Sequence, residues 1–312
     1  MIHVTSQMPD FIIGGAMKAG TTSLHHILSR HPDVYLPDGE IHFFCIDDTV
    51  QHPDFWRVQD YDKDFERNLR WYTSFFESAG PDQLIGDDST TYLPSQKAPE
   101  RIRDLLPDVK LIFLLRDPIA RTYSHYWHRV KTGRAVHRFE EELELGTSNL
   151  YLRSHYKSQL ERYFERFPEN QIMVVVSERF FEAPREVMKN VWEFLDLDAV
   201  ELENTQANKS PAPRSLRFQL LLNYIASGTR QRHSDVLPGE SDRQEISFSK
   251  RTGRSLWFRL TDKNLDSRSY PPMSPEIRRR LSRIFARENQ GISDLIDTDV
   301  AQYWPSMTEE KR

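Results

Sequence analysis

Residues Phe11–Leu28 read FIIGGAMKAGTTSLHHIL, and they restrict the fold more than any other stretch of the chain. A short apolar run ends in two glycines. A loop of small residues follows, with one lysine, a third glycine and two threonines, and then a helical pattern begins. Strand, tight loop and helix in that order make a cradle for an anion, because loop N–H groups and the positive end of the helix dipole converge on one point. The order of residues inside the loop discriminates further. A nucleoside-triphosphate loop reads G-x-x-x-x-G-K-[ST], with lysine after the second glycine. Here Gly15 and Gly20 keep the glycine spacing, but Lys18 precedes Gly20, and Thr21, Thr22 and Ser23 follow it. A glycine-rich turn that binds nothing has the same look, so this segment alone leaves both readings open.

Apolar runs alternate with helical patterns along the chain. Strands are expected at Phe11–Gly15, Leu84–Gly86, Lys110–Leu115 and Gln171–Val176, the last two apolar without alternation and therefore buried on both faces. Helices are expected at Thr22–Arg30, Asp60–Ala79, Pro99–Leu106, Asp117–Lys131, Asn149–Phe167, Pro184–Leu195 and Ser274–Glu288. Strands alternating with helices predict an α/β fold, a single domain with a central parallel sheet flanked by helices. Its core would run over about 9–203 and 270–304. Residues 204–269 mix Asn, Pro, Ser and Arg and read as an irregular insertion or lid, with a helix at Leu216–Ile225.

A second anchor lies in KLIFLLRDPIARTYSHYWH, residues 110–128. A buried strand ends in Arg116, and a helix starts with Asp117 as N-cap and Pro118 in its first turn. In open parallel sheets ligands sit beyond the carboxyl ends of the strands. Arg116 and the loop around Lys18 both occupy such ends. A guanidinium there and the hydroxyl of Ser124, about two turns along the helix, suit one phosphate.

A candidate base stands in PDGEIHFF, residues 37–44. Glu40 beside Phe43 and Phe44 would be a carboxylate of raised pKa, able to take a proton from a hydroxyl. His42 is the rival; on a strand it would share a face with Glu40.

The 312 residues include 42 Lys and Arg against 47 Asp and Glu, a net charge of −5 that disfavours a nucleic-acid partner. The single cysteine, Cys45, rules out an internal disulfide or a multi-cysteine metal site. The amino terminus lacks the pattern of a secretory signal and no run has the ~20 apolar residues of a membrane span, so a cytoplasmic location is expected, with no transmembrane segment.

Taken together, KAGTTSL, Arg-x7-Ser after an apolar strand and EIHFF resemble the sulfotransferases that use 3′-phosphoadenosine 5′-phosphosulfate (PAPS), in particular the heparan-sulfate-type branch. The likeness is strongest over 11–44 and 84–128 and continues through 158–184 and 270–296. It implies a P-loop-like sulfotransferase fold, PAPS as donor, adenosine 3′,5′-bisphosphate (PAP) as product, no metal, and a carbohydrate or small-molecule hydroxyl as acceptor. By position, the resemblance makes Lys18 the residue that neutralises the transferring sulfuryl group. Lys18, Ala19, Gly20, Thr21, Thr22 and Ser23 become the 5′-phosphate loop, Arg116 and Ser124 the 3′-phosphate site, and Glu40 the base. Arg268 stands for the family's basic cofactor loop, here Asp266-Ser267-Arg268, with Arg214 and Arg254 as other basic candidates. Two further positions depart from the family pattern: Gly39 stands where a lysine is usual before the glutamate, and Asp88 where many carbohydrate-acting members have a lysine. The other readings are a P-loop kinase, which would need a lysine after the glycine and a magnesium-binding acid, and a nucleotide-binding protein without catalysis.

Overall fold

The computed structural model describes residues 7–45, 48, 65–145, 150–202, 211–230, 257–266 and 269–307, with the backbone only at 65–67 and 227–230. Five parallel strands form the central sheet: β1 (Phe11–Gly15), β2 (Val34–Tyr35), β3 (Leu84–Asp88), β4 (Lys110–Leu115) and β5 (Ile172–Val176), in the order β2-β3-β1-β4-β5. β1 lies in the middle, with all five residues buried. Leu111 to Leu115 of β4 are fully buried too, as expected for a strand covered on both faces. The connection from β1 leads toward β2 and β3, and that from β4 leads the other way to β5. The crevice between β1 and β4 is therefore a topological switch point, where open α/β sheets bind ligands.

Helices α1 (Thr21–Leu28), α2 (Phe65–Ser74), α3 (Ala98–Leu105), α4 (Pro118–Lys131), α5 (Phe139–Leu145), α6 (Tyr156–Phe164), α7 (Ser177–Glu182) and α8 (Pro184–Leu195) follow in chain order. Asp117 caps α4, accepting from Ala120 N at 2.9 Å, with Pro118 in the first turn as expected. The same carboxylate accepts from Ser306 N at 3.0 Å, which ties the end of the described chain to the start of α4. In 204–269 the described parts are regular. They are an antiparallel pair, β6 (Ala212–Pro213) with β7 (Leu265–Asp266), helix α9 (Leu216–Arg230) and a helix α10 over 257–264. α11 (Pro275–Glu288) starts at Ser274, whose hydroxyl accepts from Ile277 N, and buries Ile277, Leu281 and Phe285 against α4 and its neighbours.

Three expectations need correction. The helix expected over Asp60–Ala79 ends at Ser74, and turns follow it. A continuous helix over Asn149–Phe167 does not form: a single 3-10 turn, Leu152–Ser154, precedes α6. Side chains capture the carbonyls that such a helix would use. Arg121 donates to Leu150 O, Gln159 Nε2 to Leu152 O at 2.9 Å, and Asn289 Nδ2 to Ser154 O at 3.0 Å. Nor do Glu40 and His42 lie on a strand. They belong to a loop, His42 has φ 60°, and a 3-10 turn follows at Phe43–Cys45. Part of the aromatic-rich stretch 51–80, including Phe55, Trp56 and Tyr61, lies outside the described residues. Within it Tyr72 and Phe76 are fully buried core, whereas Trp71 is 42 % exposed.

Gly86 shows how tightly the sheet is filled. A Cβ at this position would stand 2.4 Å from Phe11 Cζ and 2.6 Å from Leu36 Cδ2. Gly86→Ala is expected to cost about 1–3 kcal/mol through overpacking, read as a lower urea midpoint with unchanged slope. A wild-type midpoint would mean that the contact relaxes freely.

Candidate functional site

All five strands deliver residues to one end of the sheet. The loop after β1 brings Lys18. The loop after β2 brings Glu40 and His42, and the segment after β3 brings Ser89, Thr90 and Thr91. Arg116 follows β4, and Ser177 follows β5. The local chemistry explains each position.

The cradle closes as the loop turns back on itself. Ala16 N donates to Leu114 O at 2.7 Å and Ala19 N to Ala16 O at 3.1 Å. Ser177 Oγ donates to Ala19 O at 2.6 Å, fixing the loop from the β5 side. Gly20 occupies the N-cap of α1 with φ 100°, a left-handed conformation that favours glycine, and no side chain caps the helix. The first-turn N–H groups of Thr21 and Thr22 begin a helix whose positive end no side chain caps, while Ser23 N already donates to Gly20 O at 2.9 Å. Lys18 itself has φ 70°. Among the described residues four non-glycines have positive φ: Lys18, His42, Asp196 and Asp297. Aspartate and histidine tolerate this region, whereas a lysine there carries strain of about 1–3 kcal/mol, of the kind that gathers at functional sites.

Arg116 lies beside the cradle: its Nη1 donates to Lys18 O at 3.3 Å. The two expected clamps thus meet on one side of the sheet. Ser124 is buried on α4, and at helical spacing beyond it come His128 and Lys131. Burial lowers the Lys18 pKa to about 8, helped by the charges of Lys131 and Arg116, while Glu40 opposes the shift. Burial also holds His128 near 3, so that it faces Lys18 as a neutral ring.

Glu40 is held from several directions. Thr90 Oγ1 stands 2.9 Å from both carboxylate oxygens, and His42 Nε2 lies 3.2 Å from Oε2. Its backbone is fixed as well. Ser89 Oγ accepts from Ile41 N at 3.1 Å and His42 N at 3.0 Å while donating to Asp87 Oδ1 at 2.6 Å. Asp87 is braced in turn by the hydroxyls of Tyr72 and Tyr92. The Glu40 side chain stays 34 % exposed at the mouth of the cleft. The atoms packed around this half-exposed carboxylate raise its pKa to about 7, chiefly by desolvation and next by the charge of Asp88, against the hydrogen bonds from Thr90. His42 is pushed down to about 3 by burial and by Arg153. A neutral His42 with its Nε2–H on Glu40 takes Thr91 Oγ1 as donor to Nδ1, at 2.5 Å, and Thr91 has Cys45 Sγ behind it at 3.1 Å. His42 thus stands between Glu40 and Thr91.

Sequence reasoning missed several of these groups. Thr90, Thr91 and Arg153 carried no motif of their own, and Asp88, noted only as a departure from the family pattern, pairs with His25 Nδ1 at 3.1 Å. Their position just past the end of β3 was the available signal for Thr90 and Thr91. Arg268 and Arg254 lie outside the described residues. Arg214 is exposed, with Nε 3.7 Å from Asp266 Oδ2.

At the switch point of a parallel α/β sheet, the loop bearing Lys18, the Arg116 guanidinium on its carbonyl and the Glu40 carboxylate from the loop after β2 thus lie at one sheet end. The chain belongs to the sulfotransferase family, whose model matches residues 9–201. Among curated proteins it is 28 % identical over 248 residues to human heparan sulfate glucosamine 3-O-sulfotransferase 5, covering 75 % of this chain and 67 % of the relative. It is 30 % identical over 207 residues to human bifunctional heparan sulfate N-deacetylase/N-sulfotransferase 2, covering 61 % of this chain and 22 % of that protein. A crystal structure of a sulfotransferase from Alicyclobacillus acidocaldarius shares the fold, with a TM-score of 0.63 at 23 % identity over 95 % of this chain and 99 % of that one.

Proposed function

We propose that this protein transfers a sulfuryl group from PAPS to a hydroxyl of a carbohydrate or small-molecule acceptor, with Glu40 as general base and Lys18 stabilising the transferring group. The observation that carries this reading is the convergence of three elements at one sheet end: the uncapped α1 with Lys18, the Arg116 guanidinium on the Lys18 carbonyl, and Glu40 held by Thr90 and His42. The residues fit a nucleotide with phosphate at both ends. Gly20, Thr21, Thr22 and Ser23, with Ala19 behind them, would hold the 5′-phosphate, and Arg116 with Ser124 the 3′-phosphate.

PAPS would supply an activated sulfuryl group. The chain's own part is binding, orientation and proton transfer. Lys18, charged below its pKa of about 8, faces the place where negative charge gathers during transfer. Glu40, ionised above about pH 7, accepts the proton of the attacking hydroxyl, and its orientation is set by Thr90 and His42.

The names of the curated relatives support a glycan acceptor. Against a polyanionic one stands Asp88, an acid close enough to raise the Glu40 pKa. The acceptor of this reading is a neutral or weakly charged hydroxyl compound. No helix among the described residues is long and apolar enough to cross a membrane; a cytoplasmic place of action belongs to the proposal.

Thermal-shift titration tests the donor. PAP at 100 times its Kd is expected to add about 2.7 kcal/mol of stability, roughly 5 °C in Tm, while ATP and NADH at equal concentration give much less. Equal responses to ATP and PAP, or none to PAP, would sink this assignment. Turnover of PAPS with a panel of neutral hydroxyl acceptors then identifies the second substrate.

A further inference from the structure

Ser177 and Glu178, the first two residues of α7, touch both clamps. Ser177 Oγ donates to Ala19 O at 2.6 Å, on the cradle side. Glu178 reaches the other clamp: its Oε1 accepts from Asp117 N at 3.0 Å, one residue past Arg116. The carbonyl of that same peptide group, Arg116 O, accepts from Tyr156 Oη at 3.0 Å. Side chains from α7 and α6 thus hold both polar atoms of the 116–117 peptide. A peptide group is planar, so two such bonds fix its orientation and with it the direction in which the Arg116 side chain leaves the end of β4.

Glu178 is set in turn by the last described residues. Trp304 Nε1 donates to its Oε2 at 3.0 Å, and the fully buried Trp304 ring lies 5.8 Å from that of Tyr156. Two residues on, Ser306 N donates to Asp117 Oδ2 at 3.0 Å, while Ala120 N donates to Oδ1 at 2.9 Å. Both oxygens of Glu178 and both of Asp117 therefore accept from N–H groups. The guanidinium next in the chain stays out of this network. Among the described residues it makes one hydrogen bond, from Nη1 to Lys18 O at 3.3 Å, and no ion pair. A guanidinium carries five N–H donors, so most of these remain for an anion. An acid with a free oxygen beside this peptide would compete with a phosphate for them.

We propose that Glu178 is a positioning residue for the donor nucleotide: held by Trp304, it locks the 116–117 peptide so that the Arg116 guanidinium stands unpaired beside the cradle, open to a phosphate. The inference rests on the reading of Arg116 as a phosphate clamp. It gives the carboxyl-terminal segment around Trp304 a part in donor binding, although that segment carries none of the phosphate-binding residues.

Two variants of the full chain test it. Trp304→Phe keeps an apolar ring and removes the N–H. Glu178→Gln leaves one carbonyl oxygen for two N–H donors. In free protein labelled with 15N at arginine, the Arg116 Nε–Hε signal is assigned by its loss in Arg116→Ala. Its order parameter is expected to drop from the rigid range, ~0.8, to below ~0.6 in both variants. PAP affinity should fall about 5- to 10-fold in each, with single-turnover kcat at saturating PAPS within about twofold of wild type. In the Arg116→Ala background either substitution should change PAP affinity by less than about twofold, because the residue it acts through is gone. The tryptophan variant carries the test by itself should the glutamine variant unfold. An Arg116 signal unmoved in the folded variants overturns the proposal. So does a loss of PAP affinity that is the same with and without Arg116, which would make Glu178 a general prop of the fold. Should wild type bind no PAP, the donor assignment fails, whereas the order parameter in free protein still reads the hold of Glu178 on Arg116.

Discussion

Glu40→Gln is expected to lower kcat by ~10²–10⁴-fold while leaving PAP affinity and Tm close to wild type. Glutamine keeps the shape and can still accept from Thr90, but it takes no proton from a hydroxyl. The pH profile carries a second signature of the same group. In the free enzyme the base is competent above about pH 7 and Lys18 is charged below about pH 8. The profile of kcat/KM should therefore be a narrow bell, with limbs near those two values. A bound anion favours the charged lysine, so the basic limb of kcat should move upward relative to that of kcat/KM. The acidic limb should vanish in whatever activity Glu40→Gln retains. A glutamine variant with wild-type kcat would shift the role of base to another group, His42 first.

The second large effect separates the two clamps. Lys18→Ala is expected to lower kcat by ~10²–10³-fold with a smaller change in PAPS KM, because its charge faces the transferring group more than the nucleotide ends. Arg116→Ala should do the reverse. Removing a partly buried cation from a phosphate costs about 2–5 kcal/mol, so PAP affinity would fall by about 30-fold or more. Single-turnover kcat at saturating PAPS would change far less. Isothermal titration with PAP and single-turnover kinetics with PAPS tell the two apart. Equal losses of kcat and affinity in both variants would mean that Lys18 and Arg116 act on one group, and the two-clamp arrangement would have to be abandoned. Arg116 also holds the Lys18 carbonyl, so a modest kcat effect of Arg116→Ala is expected through the loop.

Much of this was legible from residue order. The run FIIGGAMKAGTTSL fixes a strand, a turn and a helix start by local rules: apolar residues that need burial, glycines that permit the turn, and a helix start with open N–H groups. Asp117-Pro118 marks the start of α4 by the same kind of rule, and the structure bears it out. Uninterrupted apolar runs such as KLIFLL mark strands covered on both sides, which implies parallel pairing. These are properties of neighbours in the chain, and an order of residues contains them. The family resemblance extended that local reading to named site residues.

Other features depended on groups far apart in sequence. Arg153 lay within an apparent helix until Arg121, Gln159 and Asn289 took its carbonyls, the last from more than a hundred residues away. Thr90 lies fifty positions from Glu40 yet donates to its carboxylate, and Ser89 binds the two N–H groups that follow Glu40. Asp88 found its partner in His25, and His42 found Thr91. Local sequence thus decided where strands end and helices begin, because backbone conformation and burial follow from adjacent residues. Tertiary structure decided which side chains share a charge or a proton. Electrostatic coupling depends on distance in space, and here that distance is set by the alignment of five parallel strands whose ends meet at one crevice.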